Sequence, residues 1–179
     1  IIQGTGDTAS NGQVGGFSQA LTDADRLSNP IAGCTWGYSG SVAGLWSGAN
    51  SAFLRNYLQY AKYAVEEYQT NRFPSSNTNL ATAKSEVQTL WGYFAAAGIT
   101  TVLRTKLHPR TVDGTNAALL TPCFTAGGDA RLFNDWLDTP GLGVAEGVAL
   151  TILPINSTRL STNQTLDNFM FWNVAGSTT

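Results

Sequence analysis

The sequence predicts an α/β protein with a mostly parallel sheet and helices on both sides, a three-layer α/β/α arrangement in one domain over residues 1–179. Two observations predict it. First, the strand-like segment KYAVEEYQTN is followed by a clear amphipathic helix and then by the β-branched segment ITTVLRTKL. Strand, helix and strand in succession form a βαβ crossover, which joins parallel strands. Second, a hydrophobic content of 42% is enough for one ordinary core.

The first half of the chain predicts two helices, a glycine-rich loop and a strand. The first helix has i, i+3, i+4, i+7 spacing at Phe17, Ala20, Leu21 and Ala24. Glycines 33, 37, 40 and 44 then mark a strand end and a loop. Asn50 can cap a second helix whose inward face would be Phe53, Leu54, Tyr57, Leu58 and Ala61. Residues 62–71, KYAVEEYQTN, predict a strand with a polar end.

The second half contains the clearest helix of the chain. Asn79 caps it and Gly98 ends it, and one face carries Leu80, Ala83, Val87, Leu90, Trp91 and Phe94. Residues 99–107 suit a buried parallel strand, and a long loop follows. Residues 129–138 predict a short helix with an inward face of Leu132, Phe133, Trp136 and Leu137. The segment GVALTILPI, 147–155, predicts a last strand.

The charge content argues against several classes of partner. Charged residues make up 12% of the chain and the net charge is −2, so no basic surface for nucleic acid or anionic lipid is indicated. No apolar run approaches the length of a membrane span. A weakly charged chain rich in Ser, Thr and Asn favours a secreted or particle-associated protein.

Three polar segments are candidates for a shared site. Ligands of open parallel sheets bind beyond the carboxyl ends of the strands. We expect residues 4–12 (GTGDTASNG), 38–41 (YSGS) and 68–72 (YQTNR) to converge there.

Other reactive residues give weaker signals. Cys34 and Cys123 lack metal-ligand spacing and are either two separate thiols or one disulfide. The pairs Glu66/Glu67 and Asp135/Asp138 are interpreted as solvated or edge charges, which leaves no carboxylate pair for glycoside hydrolysis. We expect no metal or other cofactor.

Several segments resemble the SGNH or GDSL hydrolases, a family of esterases and carbohydrate deacetylases. EEYQTN at 66–71 resembles the strand and loop that end in the family's Gly-x-Asn-Asp block, and 78–111 resembles the helix, strand and Pro-Arg-Thr turn that follow. GDARLFNDWLD at 128–138 is similar to the next helix, and YSGS to the block that carries a functional glycine. The resemblance implies a flavodoxin-like fold and hydrolysis by a Ser, Asp and His set.

The resemblance also implies two oxyanion-hole donors, the backbone N–H of Gly40 and the side-chain amide of Asn71. A glycine lets the backbone approach a developing oxyanion, and an amide donates without titrating. The alternatives are a plain turn glycine and a strand-end cap. The chain departs from the family pattern here, since Gln69 stands where a Gly is usual and Arg72 where an acid is usual.

The nucleophile and base of that family are not found. No Gly-Asp-Ser and no Asp-x-x-His occurs, and His108, in a predicted turn, is the only histidine. Thr8 in Gly6-Asp7-Thr8 has matching spacing, but threonine nucleophiles normally rely on an N-terminal amine. Because only two isoleucines precede this loop, we expect its strand to be missing. Our hypothesis is that these residues are the interior of a longer SGNH domain.

Two functions follow as expectations. The first is a hydrolase that removes a short acyl group, such as acetate, from a saccharide or other small ester, without a cofactor. The alternative is a non-catalytic binding or structural protein of a cell surface or virus particle. Under either function, tryptophans 36, 46, 136 and 172 suit contact with carbohydrate, and Arg110 serves to hold the long loop.

Overall fold

The computed structural model describes residues 2–3, 42–73, 79–107 and 121–153. Four strands form one sheet within these ranges: β1 (Ile2–Gln3), β2 (Tyr63–Glu66), β3 (Thr101–Thr105) and β4 (Ala149–Leu153). Their order is β1-β2-β3-β4, and every neighbouring pair is parallel. The predicted α/β class with a parallel sheet is confirmed.

Three α-helices accompany the sheet: α1 (Ala52–Tyr57), α2 (Leu80–Ala96) and α3 (Asp129–Leu137). Short 3-10 turns cover Ala43–Ser47, Ala49–Ser51, Leu58–Tyr60, Thr70–Arg72 and Pro122–Phe124. Helices α2 and α3 pack against each other over one face of the sheet. The rings of Trp91 and Trp136 stack between them, 5.8 Å apart. The helix predicted at residues 17–24 and any second helical layer lie outside the described residues.

The core lies between the sheet and α2 and α3. Alternate strand residues such as Ala64 and Val102 are fully buried beneath the helices. The predicted apolar face of α2 is confirmed, with five of its residues fully buried: Ala83, Val87, Leu90, Trp91 and Phe94. Gly98 adopts a φ of 87° after the helix, as a glycine that ends a helix does.

The prediction for α1 is wrong in its details. Asn50 lies inside a 3-10 turn rather than at the cap, and the residue before the helix is Ser51. Phe53 and Tyr57 are 59% and 53% exposed, whereas Leu58 is buried. The helix has only six residues and tightens into a 3-10 turn, which has three residues per turn, so a stripe with helical spacing does not stay on one face.

Two further side chains differ from prediction. Leu132 of α3 is 40% exposed rather than inward, while Phe133 and Leu137 are buried as predicted. Trp46 is buried with its ring edge-on to Phe94, so it is unable to contact a carbohydrate at the surface. Tryptophans 36 and 172 lie outside the described residues.

Within the described ranges, no helix combines the length and the apolar character that crossing a bilayer requires.

Candidate active site

Two strands that precede predicted site segments end side by side at the carboxyl edge of the sheet. Ile2 pairs with Val65 and Gln3 with Glu66, so β1 and β2 are neighbours. We expected no strand before the first loop, and that was wrong to the extent that Ile2–Gln3 form one. Residues 4–12 of that loop lie outside the described residues, as does Thr8.

Asn71 lies at this edge, as predicted. It is the central residue of the 3-10 turn Thr70–Arg72, directly after the segment that leaves β2, and it is half-buried. The N–H of Arg72 donates to the carbonyl of Gln69 (2.9 Å), which closes the turn. The structure therefore holds Asn71 in a short, closed turn that follows β2.

Gln69 has the backbone conformation expected of a glycine. Its φ is 94°, in the left-handed region that costs a side-chain-bearing residue about 1–2 kcal/mol. Its buried carboxamide offsets part of this cost, because Nε2 donates to the carbonyl of Ala83 (2.9 Å) and to Oε2 of Glu86 (3.0 Å). Gln69 stands where the resembled family usually has a glycine, and its backbone has the conformation that a glycine would adopt there.

Arg72 contacts the same carboxylate on α2. Its Nε donates to Oε2 of Glu86 (3.1 Å) and its Nη2 donates to Oε1, a two-point pair that fixes both groups. A Cβ added at Gly44 would overlap the Glu86 carboxylate, so the turn Ala43–Ser47 lies close against this side chain. Gly40, from the same glycine-rich segment, lies outside the described residues.

Glu66 and Arg104 form an ion pair that sequence reasoning missed. Both are fully buried, and Nη1 of Arg104 donates to Oε1 of Glu66. The interpretation of Glu66 as a solvated charge is therefore wrong. Burial lowers the pKa of Arg104 to about 9, which still leaves it protonated at neutral pH. A signal was present, since Glu66 and Arg104 are the last buried-face positions of two strands and stand opposite each other.

Both members of this ion pair form hydrogen bonds to the main chain just before the Asn71 turn. The N–H of Tyr68 donates to Oε1 of Glu66 (2.7 Å), and Nη2 of Arg104 donates to the carbonyl of Tyr68 (2.5 Å). The Arg104 guanidinium also lies over the ring of Phe133, 5.5 Å from its centre. The direction in which the chain leaves β2 is therefore set by buried polar groups on two strands and by α3.

Helix α3 secures two further segments at this edge. Oδ2 of Asp129 accepts from the N–H groups of Asn79 (3.0 Å) and Leu80 (3.2 Å), so it caps α2 in place of the Asn79 side chain. Asn134, which is buried, accepts from the N–H of Leu107 (2.8 Å) and donates to its carbonyl (3.0 Å). The next residues, including His108 and Arg110, lie outside the described residues.

Cys123 is a free and fully buried thiol, and its Sγ donates to the carbonyl of Phe73 (3.2 Å). Cys34 lies outside the described residues. In the described part of the chain, no group of three or more His, Cys, Asp or Glu side chains is placed to hold a metal ion.

No protein-family model, no curated protein and no solved structure matches the chain, so its function has to be inferred from the residues themselves.

Proposed function

We propose that this chain carries the oxyanion hole of an SGNH-type serine hydrolase that removes a short acyl group, acetate, from a saccharide or other small ester. The observation that carries the proposal is the position of Asn71. Asn71 stands in the closed turn that follows β2, and β2 is paired with β1, the strand whose loop would hold a nucleophile. In this proposal, Gly40 supplies the second donor, and the Ser, Asp and His belong to parts of the protein that flank these residues.

Ester hydrolysis by a serine nucleophile requires only neutral hydrogen-bond donors in the oxyanion hole. The serine oxygen adds to the ester carbonyl and its proton passes to the histidine, so negative charge develops on the carbonyl oxygen. The Asn71 amide and the Gly40 N–H donate hydrogen bonds to that oxygen in the transition state. Collapse of the intermediate expels the alcohol, which takes the proton from the histidine, and water then releases acetate from the serine.

The surroundings of Asn71 support a functional role. A non-glycine residue with a left-handed backbone lowers the stability of a protein, and so does a buried polar atom without a hydrogen-bond partner. Both features occur most often at functional sites. Gln69 has such a backbone, and three atoms of the adjoining network have no hydrogen-bond partner: Oε2 of Glu66, Oε1 of Gln69 and Nε of Arg104.

The test is hydrolysis of p-nitrophenyl acetate by the full-length protein. We expect Asn71→Ala to lower kcat by about 100- to 1,000-fold with little change in KM, because the donor acts mainly in the transition state. Ser85→Ala is the control, since Ser85 is an exposed residue of α2, and it should leave kcat unchanged.

A fluorophosphonate that labels serine nucleophiles should block this activity. If the full-length protein shows neither labelling nor turnover, the alternative of a non-catalytic binding or structural protein is correct. That alternative is favoured by one observation, the lack of Gly-Asp-Ser and Asp-x-x-His within these 179 residues.

A further inference from the structure

A group of exposed aromatic rings lies at the opposite edge of the sheet from Asn71. Phe53, Tyr57 and Tyr60, which we call the aromatic ridge, are 59%, 53% and 81% exposed. They belong to α1 and the 3-10 turn after it, which lead into the amino end of β2 at Tyr63. Asn71 follows the carboxyl end of the same strand, so the two regions are separated by the length of β2.

Two adjoining clefts border this ridge. The first has a volume of about 300 Å³ and is lined by Phe53, Asn56, Tyr57, Gln59 and Tyr60. The second has a volume of about 290 Å³ and is lined by Arg55, Asn56, Gln59, Tyr93, Ala96 and Ala97. Because Asn56 and Gln59 line both, the two clefts share a pair of carboxamides along their common border.

The chemistry of the lining fits a sugar. Among the described residues, those that line the first cleft carry flat rings or carboxamides, and none is charged or aliphatic. A pyranose ring presents C–H groups on its faces, which pack against aromatic rings, and hydroxyl groups at its rim, which exchange hydrogen bonds with amides. No carboxylate of the part of the chain that the structure describes lines either cleft.

The size of the ridge argues against a protein partner. An aromatic side chain buries about 150–250 Å² in total, and these three rings are only partly exposed. Their combined area falls short of the about 800 Å² that each partner contributes to a standard protein interface.

The second cleft has a fixed wall. The guanidinium of Arg55 lies over the ring of Tyr93, 4.8 Å from its centre, and its Nη1 donates to the carbonyls of Trp46 and Gly48 (3.1 Å for Gly48). Between the clefts, Nε2 of Gln59 donates to the backbone carbonyl of Asn56 (2.7 Å), which orients that carboxamide. Side chains held in this way lose little entropy when a ligand binds.

We propose that the two clefts form a binding site for an oligosaccharide, whose sugar rings pack on Tyr57 and Tyr60 and whose hydroxyls bond to Asn56 and Gln59. The site does not depend on Asn71, since it lies at the other edge of the sheet. If the protein is an esterase of saccharides, the site would hold the chain of a polymeric substrate away from the reacting ester.

The test applies the full-length protein to a microarray of plant and bacterial cell-wall oligosaccharides, neutral and uronate-containing, followed by calorimetry with the best-bound one. We expect Tyr57→Ala and Tyr60→Ala each to weaken binding about tenfold, equivalent to about 1.4 kcal/mol. Tyr60→Phe should keep most of the affinity, because it retains the ring.

The controls separate this proposal from the esterase proposal. Val144→Ala, which alters an exposed side chain elsewhere, and Asn71→Ala should bind the oligosaccharide like the unmodified protein. Val144→Ala should also hydrolyse p-nitrophenyl acetate at the unmodified rate, whereas Asn71→Ala should lose that activity while it keeps its affinity for the oligosaccharide. The proposal is overturned if no oligosaccharide binds, or if both tyrosine variants bind normally. It is also overturned if light scattering shows a dimer that Tyr60→Ala dissociates, because a second copy then covers the ridge.

Discussion

The two edges of the sheet differ in where their polar and aromatic side chains lie. At the carboxyl edge, the chain leaves its strands through polar side chains that are fully or almost fully buried, such as Glu66, Arg104 and Asn134. At the amino edge, Phe53 of α1 and Tyr60 of the 3-10 turn after it are exposed to solvent. Hydrogen bonds within the protein therefore fix the conformation of the carboxyl edge. The exposed rings of the amino edge contribute little to the stability of the fold. Substitutions should separate the two, with losses of stability at one edge and losses of binding at the other.

The largest expected effect is at the buried ion pair. Arg104→Ala leaves the Glu66 carboxylate buried without its partner, and we expect the free energy of unfolding to fall by about 3–5 kcal/mol. Urea unfolding followed by tryptophan fluorescence measures it. Tyr60→Ala is the matched comparison from the other edge, and it should change stability by less than about 0.5 kcal/mol.

A double replacement sharpens this result. Glu66→Leu with Arg104→Met removes both charges and fills the space with apolar atoms, so it should be far more stable than Arg104→Ala alone. The double variant still loses the two hydrogen bonds to the main chain of Tyr68. Its kcat should fall if those bonds position Asn71. Equal stability of Arg104→Ala and the unmodified protein would show that the pair does not hold this edge.

The difference between the edges also explains what the sequence could predict. Helix α2 was predicted because its apolar side chains repeat with the period of a helix, and strand β3 because its segment is β-branched and mostly apolar, and both signals are local. The Glu66–Arg104 pair joins residues on different strands, and its identification needs the register of β2 against β3. The exposed ridge was missed for a different reason, since a periodic stripe in α1 could not reveal where the helix tightens into a 3-10 turn.

Asn134 offers an intermediate effect at the same edge. Asn134→Ala leaves the N–H and the carbonyl of Leu107 without their partner in α3, and we expect a loss of about 1–3 kcal/mol in the free energy of unfolding. Asn56→Ala, at an exposed position of α1, should be close to neutral in the same urea titration. Similar losses for the two variants would mean that the bonds of Asn134 add nothing to this edge.

The smallest expected effect concerns the left-handed residue beside Asn71. Gln69→Gly and Gln69→Ala both remove the carboxamide that bonds to Ala83 and Glu86, but only glycine adopts a φ of 94° without strain. We therefore expect the glycine variant to be more stable than the alanine variant by about 1 kcal/mol in urea unfolding. At Ser85, an exposed position inside α2, the order should reverse, with alanine more stable than glycine by about 1 kcal/mol. If alanine is also the more stable residue at position 69, the turn does not hold a left-handed residue there. The Asn71 amide would then lack the backbone geometry on which the proposed oxyanion hole depends.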